Sequence, residues 1–232
     1  MPAAITMTVA RILRKTGFIL LILFVLCEMA IVGSGMADKI FSIDSAVLKK
    51  VEERCGKDAP TRLISWENLV NQEQGKSDME KLDKVNSFFN KNLSYVEDID
   101  LWGVKDYWAT PVEFLCRGAG DCEDYAIAKY FTLKAMGVPE EKLNISYVKS
   151  LQLNKSHMVL TYYSKPGEEP LILDNLINSI KPASQRDDLS PIFSFNGTGL
   201  WMAQQRGRGN MTNSSRLRKW KDLLNRMSEN SF

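Results

Sequence analysis

The spacing of apolar residues changes period once along this chain, at Gly137 and Pro139. Before that point Leu82, Val85 and Phe89, and then Ala126, Ile127, Tyr130 and Leu133, recur at the spacing of one helix face. After it, 145–149, 158–163 and 171–173 are short runs rich in β-branched and aromatic residues, with turn residues between them. A chain that places its helices first and its strands second predicts an α+β fold with an antiparallel sheet. Alternating βαβ units would have given a parallel one.

Local signals predict where the elements begin and end. Asp44 is placed to cap a helix over 45–54, with Gly56 just past its end, and a second helix is predicted over 60–72. Ser77 and Glu80 form a capping box ahead of the Leu82 stripe. The aromatic-rich stretch from 92 to 120 reads as a long connection. Within it, Thr110 and Pro111 are the N-cap and first residue of a short helix reaching Leu115. Gly118-Ala119-Gly120 opens a stronger helix over 122–136. Lys155-Ser156 and 165–167 read as turns, and 193–195 and 200–202 as two further strands around Asn196-Gly197.

The N-terminus predicts export. Arg11, Arg14 and Lys15 precede the apolar run 18–27, and the small residues 33–37 follow, with Gly35-Met36-Ala37 fitting cleavage before Asp38. The run is short for a membrane span, so an uncleaved anchor is the alternative. The chain then divides into a signal or membrane segment (1–37), a domain (38–205) and a basic tail (206–232) that reads as partly disordered with a final helix to about Met227. Trp220 in that tail has two readings, a residue of a solvated appendage or an interfacial anchor on anionic lipid. The formal net charge of the whole chain is +2, which gives no nucleic-acid signal.

Export changes the cysteine arithmetic. Cys27 leaves with the signal, and Cys55, Cys116 and Cys122 remain, an odd number for an oxidising compartment. Cys55 and Cys116 either pair or stay as buried thiols. The single histidine, His157, excludes multi-histidine metal sites, and no C-x-x-C pair supports a zinc ribbon.

Three short strings carry chemistry. Cys122 stands at a helix N-terminus, where unpaired N–H groups and the dipole favour a thiolate and can receive an oxyanion. His157, in Ser156-His157-Met158-Val159-Leu160, is the only imidazole available to serve such a thiol. Asp174 ends the apolar run 171–173 and, if the two strands pair through the turn at 165–167, lies at the same sheet end as His157. Asn175 is its rival as the group that orients the ring. Asp121, Glu123 and Asp124 flank the cysteine and oppose ionisation of the thiol. Either they are acids favoured at a helix N-terminus, or they are hard ligands for Ca²⁺, which would need further oxygens to complete its shell. Trp108 by itself reads as a packing aromatic.

Gly-Asp-Cys-Glu-Asp-Tyr-Ala at 120–126, Ser-His-Met-Val-Leu at 156–160 and Leu-Asp-Asn at 173–175, with Trp-Ala-Thr-Pro at 108–111, resemble the bacterial transglutaminase-like cysteine proteinases. The resemblance covers roughly 82–174 and leaves the basic tail outside. It implies a transglutaminase-like, papain-like fold with Cys122 as nucleophile, His157 as general base and acid, and Asp174 as orienter, and it makes Trp108 a candidate second oxyanion donor. It further implies a Ca²⁺ requirement, met here by Asp121, Glu123 and Asp124, and a periplasmic location. The implied substrate is a large surface adhesin, cut in its N-terminal region near a pair of alanines to release it and promote biofilm dispersal. The implied partner is a LapD-type inner-membrane receptor whose periplasmic domain responds to cytoplasmic cyclic di-GMP. Membrane contact through the N-terminal segment or the tail is a further expectation. An acyl transferase on the same three residues and a catalytically silent receptor-binding module are the alternatives.

Overall fold

The computed structural model describes residues 41–202 and 215–228. The expected signal segment, Cys27 and the tail residues 206–214 lie outside the described residues. Helix α1 (Ser45–Cys55) starts where Asp44 accepts the Ala46 N–H at 2.7 Å, and it ends at Gly56. Helix α2 (Ala59–Gln72) follows, then α3 (Asp78–Asn92), whose Ser77/Glu80 capping box is formed as predicted. A capping box between Thr110 and Glu113 likewise starts α5 (Pro111–Arg117), which comes after the short α4 (Asp98–Leu101). Gly118 ends α5 at φ +69, and a Cβ there would also stand 3.0 Å from the Arg62 guanidinium carbon, so only glycine fits. Arg62 in turn donates to the carbonyls of Leu115 and Cys116, satisfying the helix end.

The connection at 92–120 is more ordered than its sequence predicts. It holds α4 and a two-stranded parallel ladder, β1 (Ser94–Tyr95) with β2 (Ala119–Gly120). Two-residue strands bury too little to leave a periodic signature; pairing across the fold fixes them.

Helix α6 (Cys122–Ala135) is the centre of the molecule. Its expected single stripe is instead burial on most faces, because it lies between the helices α3 and α5 and the strands β3 (Leu143–Ser150) and β4 (Lys155–Tyr162). Ile127, Tyr130 and Leu133 are fully buried, as are Leu143 and Ile145 opposite them. With β5 (Leu171–Leu173), β6 (Lys181–Pro182), β7 (Leu189–Asn196) and β8 (Gly199–Met202), these strands form an antiparallel sheet ordered β6-β5-β4-β3-β7-β8. The fold is therefore α+β as expected. Lys155 and Ser156 are strand residues rather than a turn; the reversal falls just before them, where Asn154 adopts φ +50.

Cys55 and Cys116 form a disulfide that ties α1 to α5, which leaves Cys122 as the free thiol. The last helix, α7 (Ser215–Ser228), corrects the reading of Trp220. Trp220 is buried, stacked on Phe131 with ring centroids 5.5 Å apart and edge-on to Phe195. It is neither solvated nor available to a membrane, because the aromatic surface of α6 and β7 covers it. Among the described residues no helix is long and apolar enough to cross a membrane.

Candidate active site

Cys122 is the first residue of α6, placed there by the β1–β2 ladder that fixes the preceding residues. Gly120 is required for an inward reason. A Cβ on it would come within 2.3 Å of Asp124 Oδ2 and 2.8 Å of the Phe114 ring. The sulfur is 2.9 Å from Glu123 Oε2, to which the thiol donates, and it faces the Met158 N–H on β4. It therefore lies against the strand that carries His157, beside the residue next to it. Burial, followed by the Glu123 and Asp121 charges, pushes the Cys122 thiol well above its ordinary value, with the Met158 N–H acting against them.

The pairing of β4 with β5, Leu160 opposite Leu173, brings His157 and Asp174 to one end of the sheet, as the strand argument predicts. His157 Nε2 is 2.8 Å from Asp174 Oδ1, with the two side chains 6% and 0% exposed. Burial raises the Asp174 carboxyl, but hydrogen bonds from His157, the Leu176 N–H and Arg186 outweigh it and hold the group at about 2. An ionised carboxylate only accepts, so the ring proton sits on Nε2 and Nδ1 is left bare. Asn175 is not the orienting group; its Oδ1 is buried with no hydrogen-bond partner. Two supporting residues escaped the sequence reading. Arg186 Nη2 donates to Asp174 Oδ2 at 2.7 Å, and Asn90 Nδ2 donates to the Asp174 carbonyl at 2.7 Å. Trp108 is buried and stacked on Phe195 at 5.6 Å, which fits the packing reading rather than the oxyanion one.

The acids around Cys122 form a larger cluster than the sequence reading named. Asp98, Asp121 and Asp124 bring ligand atoms within 4.8 Å of one another, and so do Asp98, Asp106 and Glu123. Asp124 accepts the Ala109 N–H at 2.8 Å and the Asp121 N–H at 3.3 Å, so it also organises the loop ends. Asp98 accepts the Tyr107 N–H. Asp98 Oδ1 and Asp121 Oδ1 are buried and have no hydrogen-bond partner. Burial, with Glu123 and Asp124 next, pushes Asp121 up to about 10, and burial pushes Asp98 up to about 6. Asp124 is raised well above the carboxylate range, again mainly by burial. Buried carboxylate oxygens without donors, in a cluster where burial and mutual repulsion raise Asp98, Asp121 and Asp124, are the donor set of a hard divalent cation, and they fit Ca²⁺. Asp98 and Asp106 could have been suspected from the acidic run 97–100 and the neighbouring Asp106, but their distance in sequence from Cys122 hid the link.

Helix α7 closes over this region. Lys219 pairs with Asp106, Arg226 donates to the Trp108 carbonyl, and the Arg226 guanidinium lies 4.8 Å from the Tyr107 ring centroid. The tail helix therefore braces the loop that supplies part of the acid cluster.

A family model for bacterial transglutaminase-like cysteine proteinases matches residues 52–189. The solved structure of LapG from Legionella pneumophila is 45% identical, covering 78% of this chain and 96% of that one at a TM-score of 0.68. Its calcium-bound form is 46% identical, covers 80% and 99%, and has a TM-score of 0.69. The EGTA-treated form gives 46% identity, 78% and 96% coverage, and a TM-score of 0.69. No curated protein matches the chain.

Proposed function

Because the chain belongs to the bacterial transglutaminase-like cysteine proteinase family, we propose that it is a calcium-dependent cysteine endopeptidase acting through Cys122, His157 and Asp174. The observation that carries this reading is the buried His157–Asp174 bond at the sheet end that lies against the Cys122 helix N-terminus. The bare Nδ1 of His157 takes the Cys122 proton. The thiolate attacks the scissile carbonyl carbon, and the oxyanion is received by the Cys122 N–H at the helix N-terminus. The C–N bond breaks as the imidazolium returns its proton to the leaving amine. Water then loses a proton to His157 and attacks the thioester, releasing the acid and regenerating the thiol. Asp121, Glu123, Asp98 and Asp106, with Asp124, would hold Ca²⁺, which supplies positive charge among carboxylates that otherwise oppose the thiolate.

The substrate in this reading is the N-terminal region of a large surface adhesin, cut in the periplasm to release it, with sequestration by a LapD-type cyclic di-GMP receptor as the control. The likeness to LapG supports it. The test is to incubate the mature protein with adhesin N-terminal fragments, with calcium or with chelator. Cleavage that needs both calcium and Cys122 is expected. No cleavage with calcium, or equal cleavage by Cys122→Ala, would overturn the reading.

A further inference from the structure

Arg186 lies outside the three reacting residues, yet it is 3% exposed and points its guanidinium at Asp174. It directly follows the one-turn 3₁₀ segment Ala183–Gln185 that comes after the short strand β6, and Asp188 grips it there. Nε is 2.8 Å from Asp188 Oδ1 and Nη2 is 2.9 Å from Asp188 Oδ2. That fork aims Nη2 at Asp174 Oδ2, 2.7 Å away. The other Asp174 oxygen accepts from His157 Nε2 and from the Leu176 N–H at 3.0 Å. Both oxygens of the carboxylate are thus held by donors, Oδ1 by two and Oδ2 by Arg186.

We infer that Arg186, gripped by Asp188, is a positioning residue that keeps Asp174 acceptor-only and so fixes the His157 tautomer that leaves Nδ1 free to take the Cys122 proton. The inference rests on the protease reading above for its consequence in catalysis, but its structural content stands apart from any substrate. Without Arg186, Oδ2 is a buried acceptor with no donor, and the carboxyl relieves this by turning or by taking a proton. A protonated Asp174 can donate to Nε2, which moves the ring proton to Nδ1 and blocks the base.

The charged groups facing this pair are few. His157 comes from β4, Asp188 from the segment before β7, and Lys129 from α6 behind them, close enough to act on Asp174. Burial pushes Lys129 down to about 7, so it is not a lasting cation above neutrality. Arg186 is the permanent one.

The sole histidine makes the test direct, because an imidazole ¹⁵N spectrum contains one spin system and needs no assignment. The wild-type protein, Arg186→Gln, Arg186→Lys and Asp188→Asn would be compared by that spectrum, by thermal melting and by cleavage kinetics. A single Nε2–H tautomer is expected in the wild type and a mixed or Nδ1–H ring in Arg186→Gln. The same variant should lose kcat by about 10- to 100-fold with KM little changed, by analogy with the loss when a hydrogen-bond partner that orients a metal-ligating histidine is removed. Arg186→Lys, which keeps the charge and one bond, should recover the tautomer and most of kcat. Should Arg186→Gln fail to fold, Asp188→Asn reads the same effect through the loss of the grip. An unchanged Nε2–H tautomer with kcat within about twofold, in whichever of these two variants folds, would overturn the inference. Absence of cleavage by the wild type would overturn the protease reading instead and leave the tautomer measurement to decide this one.

Discussion

Calcium uptake by this protein should release protons, and the number released can be worked from the acid cluster. Burial, with Glu123 and Asp124 beside it, places Asp121 at about 10 in the ion-free site, against an ordinary value of 3.8. At pH 7 its carboxyl is therefore predominantly protonated. Asp124 is displaced in the same direction, whereas Asp98, at about 6, is about nine-tenths ionised. A calcium ion binds carboxylates, so its arrival should expel about one proton from Asp121 and up to one more from Asp124. Affinity must then rise with pH, since deprotonation is part of binding. Each proton changes the apparent Kd about tenfold per pH unit, so between pH 6 and 8 one proton gives about 100-fold and two give about 10,000-fold.

The assay is calorimetric titration of Cys122→Ala with CaCl₂ at pH 6, 7 and 8, in two buffers of different ionisation enthalpy at each pH. The variant removes the thiol proton from the count. A buffer-dependent heat and a Kd that tightens steeply with pH are expected, and Asp121→Asn should bind more weakly with a flatter pH dependence. Equal Kd at pH 6 and 8 within about twofold, with no buffer dependence, would mean that the acids are already ionised in the empty site. The argument from burial and crowding would then be wrong.

Other predictions concern the thiol, the sheet end, the disulfide and the tail helix. Replacing Cys122 or His157 by Ala should remove cleavage of adhesin fragments by several orders of magnitude, since no second free thiol is present among the described residues and no second imidazole exists in the chain. Asp174, held at about 2 against an ordinary 3.8, contributes roughly 2 kcal/mol of stability above pH 4 that is lost as pH falls through 2. Urea midpoints should accordingly drop over that range in the wild type and less so in Asp174→Asn. The Cys55–Cys116 bridge spans 61 residues of sequence, so its removal by Cys55→Ser with Cys116→Ser should cost about 4 kcal/mol by chain entropy, read by the same midpoints. Trp220→Ala should cost about 3–5 kcal/mol as a buried aromatic truncation, whereas a wild-type melting temperature in that variant would return α7 to the status of an appendage.

What was legible in the sequence was local. The Ser77 and Thr110 caps, the glycines that stop the helices, and the period change at Gly137 are each decided within a few residues, and the structure has them where the signals lie. His157 and Asp174 were legible as a pair because their strands are consecutive in the chain and pair through the connection at 163–170. What escaped depends on contacts between distant segments. Asp98 reaches Asp121 only because β1 lies beside β2. Arg186 reaches Asp174 only because Asp188 turns it inward. Trp220 reads as part of a solvated appendage or as a surface anchor until the aromatic face of Phe131 and Phe195 is known to lie under it.

The two charged halves of the site are balanced by opposite means, and this bears on how the activity is controlled. Asp174 is answered within the chain by the permanent Arg186 cation and by His157, so the base is set whatever the solution contains. Among the acids around Cys122 the exposed Asp106 pairs with Lys219, whereas the buried Asp98, Asp121 and Asp124 are held above their ordinary values. Asp98 Oδ1 and Asp121 Oδ1 lack donors, and the carboxylates raise one another and the thiol. A chain that neutralises one buried carboxylate with its own arginine and leaves a cluster of them beside the nucleophile has placed its dependence on an outside cation at the thiol, not at the base. Calcium removal should therefore suppress thiol reactivity at Cys122 while leaving the His157 tautomer unchanged. A chelator that disturbed the imidazole ¹⁵N spectrum as much as it slowed alkylation of Cys122 would show that the two halves are not separate.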